Sequence, residues 1–86
     1  MIQFVMDENF LRAELELDEN VTFLYHFKGE NAYRQIEIYP DRTVKLTAEN
    51  PVSGDSYLCD QNLSEMDIDP SYFIYREEFD RIWNLD

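Results

Sequence analysis

The chain has 86 residues, enough for one domain, and its 44% hydrophobic and 15% aromatic content excludes an intrinsically disordered polypeptide. Nineteen acids against seven bases give a formal charge of −12, which opposes direct binding to nucleic acid or to an anionic membrane and makes a basic protein the natural partner. A single cysteine excludes an internal disulfide, a cysteine-built zinc site is excluded with it, and two glycines exclude a phosphate-cradling loop.

Residues 1–10 fit two descriptions: Ile2, Phe4 and Met6 alternate weakly, while Asp7 would cap a short helix. From Leu11 the pattern sharpens. Leu11, Ala13, Leu15 and Leu17 alternate with Arg12, Glu14, Glu16 and Asp18, which predicts a strand over 11–18. Val21, Phe23, Tyr25 and Phe27 predict a second over 21–28. A three-residue connection, 18–20, sets Leu17 opposite Val21 and Leu11 opposite Phe27, with every apolar side chain on one face and Glu14, Glu16 and Asp18 on the other. A four-residue turn, 28–31, leads to a third strand over 32–39 and pairs Phe23 with Ile36. A three-residue turn, 40–42, leads to a fourth over 43–48, pairing Ile38 with Val44 and Glu37 with Lys45 as a cross-strand ion pair. The alternative two-residue turn puts Ile36 against Lys45 and breaks the pattern.

Residues 49–56 read as a loop, 57–59 as a short edge strand and 60–69 as an acidic irregular stretch. Tyr72, Tyr75, Phe79, Ile82 and Trp83 recur at helical spacing, with Asp69 and Pro70 as N-cap and first helical residue; a later start near Tyr75, with 71–75 extended, also fits. Trp83 belongs to the apolar stripe. The expected fold is α+β: a small antiparallel β-meander of four to five strands packed on a C-terminal amphipathic helix, in a single domain. The other sheet face, carrying Leu24, His26, Tyr33, Gln35, Glu37 and Tyr39, is expected to stay open. No secretion signal is legible at the N-terminus, and no apolar run approaches the roughly 20 residues of a membrane span. With the lone thiol this reads as a soluble protein of a reducing cytoplasm.

Catalytic and metal-binding sets are hard to assemble. His26 is the only histidine, mid-strand, with no Ser-His-Asp or Cys-His arrangement legible around it; it and Cys59 read as structural. Glu65, Asp67 and Asp69 alternate but lack the tightly turned loop a hard cation needs. No cofactor is expected.

The charge itself is unevenly placed. Residues 1–20 sum to −5, residues 21–48 to +1 and residues 49–86 to −8. Alternate residues of a strand lie roughly 6.8 Å apart, so Glu14, Glu16 and Asp18 form a carboxylate row with a spacing like that of successive phosphates, and Glu19 of the connecting loop is a further candidate contact beside it. Asp60, Glu65, Asp67 and Asp69, with the helix acids Glu77, Glu78 and Asp80, are expected to extend it, and Tyr72 and Tyr75 to supply apolar anchors beside it. In size, acidity and α+β pattern the chain resembles the small phage-encoded inhibitors that act as nucleic-acid mimics, including anti-CRISPR and anti-restriction proteins. The resemblance lies in composition and architecture, and assigns no residue a role. It implies a non-enzymatic acidic inhibitor acting in the host cytoplasm, whose partner is a nuclease or other nucleic-acid-binding protein. Toxin-immunity proteins share the same features, and an acidic accessory subunit is the blander alternative.

Overall fold

The computed structural model describes residues 8–15 and 21–85. Strands β1 (Glu8–Leu15), β2 (Val21–Lys28), β3 (Asn31–Ile38) and β4 (Thr43–Thr47) run antiparallel in an up-and-down meander. A miniature hairpin follows, β5 (Val52–Ser53) with β6 (Ser56–Tyr57), turning at Gly54 with φ 60°. The chain then crosses the sheet as an irregular strap, adds β7 (Phe73–Ile74) beside β1, and ends in helix α1 (Arg76–Trp83). The five-stranded sheet has the order β4-β3-β2-β1-β7. The expected α+β meander with a C-terminal helix is the fold observed.

The register departs from expectation at three places. Leu15 faces Val21, Ala13 faces Phe23 and Leu11 faces Tyr25, two residues away from the predicted pairing. A shift of two preserves which face each side chain takes. At β2–β3 the turn is tighter than expected: Lys28 pairs with Asn31 across Gly29 and Glu30, and Gly29 takes a φ of 61° that a side chain would resist. Phe27 then pairs with Ala32 but His26 with Arg34, leaving Tyr33 as the extra residue of a bulge. Beyond it Leu24, not Phe23, meets Ile36. The bulge therefore exchanges the two faces of β3 relative to β2. At β3–β4 the chain turns at Pro40–Asp41, closed by the Tyr39 amide on the Arg42 carbonyl at 2.8 Å. Ile36 does pair with Lys45, and Glu37 with Val44. The mismatch is accommodated because Lys45 carries its ammonium outward to the Leu85 carbonyl, 2.7 Å away, near the end of the helix. No Glu37–Lys45 ion pair forms, since the two side chains take opposite faces.

The largest departure is that both faces of the sheet are covered. On one, Phe10, Leu24 and Ile36 pack with Phe79 of α1, flanked by Ile74, Ile82 and Trp83. On the other, Leu11, Phe27 and Ala32 lie under Leu58, Leu63, Met66, Ile68 and Tyr72 of the strap. The face expected to be open is divided: Leu24 and His26 lie beneath the helix, Glu37 beneath the small hairpin, and Gln35 where the hairpin leads into the strap. Residues 57–59 add no edge strand to the main sheet; Tyr57 belongs to the small hairpin, and Leu58 and Cys59 pack down onto the strap side. Asp69 and Pro70 open a single 3₁₀ turn, Pro70–Tyr72, with Asp69 accepting from the Ser71 amide at 2.9 Å. The helix begins at the later of the two expected positions, after Tyr75.

Candidate protein-docking surface

The strap is an amphipathic segment laid flat on a sheet. Leu63, Met66, Ile68 and Tyr72 turn inward, while Asp60, Glu65, Asp67 and Asp69 are exposed. The sequence contains no lysine or arginine between Lys45 and Arg76, so the segment carries no base of its own. None of them makes an ion pair with a described lysine or arginine. Two polar residues anchor the segment. The Gln35 carboxamide donates to the Tyr57 carbonyl at 3.1 Å and accepts from the Cys59 amide at 2.8 Å. Glu30 accepts from the Leu63 amide through its carbonyl at 3.0 Å and from the Ser64 amide through its side chain at 2.8 Å. The two Ser71 hydrogen bonds to Asp69 hold that carboxyl below the usual carboxylate range.

The predicted contact residues do not form one surface. Glu77, Glu78 and Asp80 belong to the helix, on the sheet face opposite the strap. Two of them serve the fold: Glu78 accepts from Arg12 at 3.1 Å and Asp80 from Arg34 at 2.9 Å. Glu77 is exposed at the start of α1. Tyr72 is half-buried in the strap cluster, whereas Tyr75 is 81% exposed where β7 gives way to the helix. Glu14 takes its place in β1 opposite Thr22; Glu16, Asp18 and Glu19 lie outside the described residues.

Beneath the helix, His26 is 2% exposed and stacked on Phe10 with ring centroids 4.3 Å apart. Arg34 Nε donates to its Nδ1 at 2.9 Å, and Glu8 Oε1 lies 2.8 Å from Nε2. Because a guanidinium only donates, Nδ1 must accept, so Nε2 carries the proton and gives it to Glu8. Arg76 donates to the same Glu8 oxygen at 2.8 Å. The chain Asp80–Arg34–His26–Glu8–Arg76 thus ties both ends of this face to the helix. Burial pushes the imidazole below its ordinary value; the Glu8 hydrogen bond opposes this and the Arg34 charge adds to it. The His26 and Arg76 hydrogen bonds hold Glu8 low. Both ring nitrogens are thereby engaged within the fold.

Beneath the hairpin lies an open hollow of about 360 Å³ walled by Phe23, Tyr25, Tyr39 and Tyr57. Glu37 lines it, only 3% exposed. Its Oε1 accepts from the Tyr39 hydroxyl and the Ser56 hydroxyl, each at 2.7 Å, and its Oε2 from Gln35 Nε2 at 2.7 Å. Burial raises the Tyr25 phenol, with Cys59 and Glu37 adding to the effect. Sequence reasoning missed Glu30, Gln35 and Glu37 as organising residues. Their alternation with Ile36 and Ile38 reads as a wet face; the only hint of burial is the surplus of apolar residues in 58–68, which need a surface to cover. Among the described residues no three histidine, cysteine, aspartate or glutamate side chains converge as a metal site, and no helix is long and apolar enough to cross a membrane. No family model matches the chain, and no curated protein matches it.

Proposed function

We propose that the chain is a non-enzymatic acidic inhibitor that occupies the basic nucleic-acid-binding surface of another protein, with the strap as its contact face. The observation that carries this reading is the strap: Asp60, Glu65, Asp67 and Asp69 point outward, free of the chain's own lysines and arginines, from a backbone held by Gln35 and Glu30. Carboxylates presented this way keep their full field, which attracts a cationic cleft from a distance and orients it on encounter. The helix acids contribute less, because Glu78 and Asp80 already face arginines.

The test is capture of partners from host lysate on the immobilised chain, followed by nucleic-acid binding by the captured protein with and without the chain. The expected result is a nucleic-acid-binding protein that releases DNA or RNA when the chain binds and leaves the chain as salt rises. A partner that holds nucleic acid and the chain together would overturn the proposal.

A further inference from the structure

The hollow beneath the hairpin combines three features that the strap lacks: a defined volume, aromatic walls and a nearly buried carboxylate. At about 360 Å³ it sits at the small end of ligand pockets, which run roughly 300–1,000 Å³. Phe23 and Tyr25 stand side by side with ring centroids 6.0 Å apart, and Tyr39 and Tyr57 complete the wall. Ring faces are electronegative and attract cations, more strongly once water is excluded. Asp55 stands exposed at the rim, and Glu37 lies within.

The hydrogen bonds of Glu37 select among cations. A carboxylate has about four lone-pair positions. Three are used, by Tyr39, Ser56 and Gln35. The remaining one is on Oε2, so the group can accept one further N–H. A guanidinium seeks both oxygens in a two-pronged contact. An ammonium is a point charge that needs only one. No lysine or arginine of the described residues makes an ion pair with Glu37.

We propose that this hollow binds an alkylammonium group, and that in the complex it receives a lysine side chain of the basic partner. The second half rests on the function proposed above; the first stands without it. The ammonium would donate to Glu37 Oε2 while its methylenes lie against Phe23 and Tyr25. Tyr57, 69% exposed, would close over it from the hairpin.

The experiment titrates the isolated chain with n-butylammonium chloride, followed by amide shifts of Ser56, Tyr57 and Cys59 and the Gln35 side-chain amide. Sodium chloride at equal ionic strength, n-butanol and n-butylguanidinium are the comparisons. The expected result is saturable shifts at those groups with butylammonium, weaker ones with butylguanidinium and none with butanol or salt. Glu37→Gln, its fold checked in the same spectra, should abolish saturation. Tyr57→Ala lies on an exposed hairpin, does not depend on core packing, and should weaken binding roughly three- to tenfold. Absence of saturable shifts, or an unchanged response in Tyr57→Ala, would overturn the pocket; equal saturation by butylguanidinium would overturn the ammonium assignment. Since no partner protein is involved, a negative titration leaves the strap proposal standing, and failure to find a nucleic-acid-binding partner leaves the pocket standing.

Discussion

His26 is the chain's only histidine, so its ring protons can be followed through a pH titration without ambiguity. The unfolded chain takes up a proton near the ordinary imidazole value of 6.5, and the folded chain only below it. Between the two the unfolded state holds more protons, so stability falls as pH drops through that interval. Glu8, also lowered when folded, adds a loss of the same sign at lower pH, beneath the ordinary 4.5. The expected outcome is a ring-proton midpoint below 6.5 with a parallel drop in urea midpoint; a midpoint above 6.5 would mean that Arg34 does not hold Nδ1. Gln35 offers a second test. Gln35→Leu removes the hydrogen bonds to the Tyr57 carbonyl of the hairpin and the Cys59 amide, and one of the donors to Glu37. A loss of roughly 1–3 kcal/mol is expected, with faster amide exchange at Cys59 and little change beneath the helix.

The helix and the strap do the same work on opposite faces, and they were not equally legible. Phe79 and Trp83, four residues apart, signalled an apolar helical stripe, and their rings do stack, with centroids 6.1 Å apart. Phe79→Ala should cost about 3–5 kcal/mol, most of a small domain's stability, and expose Leu24 and Ile36; circular dichroism with urea melting measures it. The strap gave only a short alternating signal, Glu65, Asp67 and Asp69 around Met66 and Ile68, because its other inward residues, Leu63 and Tyr72, are spaced to follow an irregular backbone. Pairing of neighbouring strands was legible, yet their faces were not. A single extra residue at Tyr33 reverses every side chain of β3 beyond it, and no turn chemistry in Lys28–Asn31 announces it. Lys45 misled for a related reason: a long side chain tolerates an apolar neighbour when its ammonium can reach a carbonyl, here that of Leu85.

Charge of −12 on 86 residues is a property of the composition, but its effect depends on where the folded chain leaves it uncompensated. The described ion pairs gather around Arg12, Arg34, Arg42 and Arg76, and none reaches the strap. Acidity was legible at once; the division of the acids between two faces was not, since it follows from the chain crossing the sheet after β6. A contest between position and total charge decides the matter. Glu65→Gln with Asp67→Asn, and separately Asp41→Asn with Glu49→Gln, each take the formal charge from −12 to −10, the first on the strap and the second away from it. Affinity for the captured nucleic-acid-binding partner, measured for both variants at the same salt concentration, tests the central claim. The strap pair should weaken binding by about tenfold, from two desolvated charges each worth roughly 0.5–1 kcal/mol, while the other pair stays within about twofold of the parent chain. Equal losses from the two variants, or a strap variant that binds as tightly as the parent, would contradict the account.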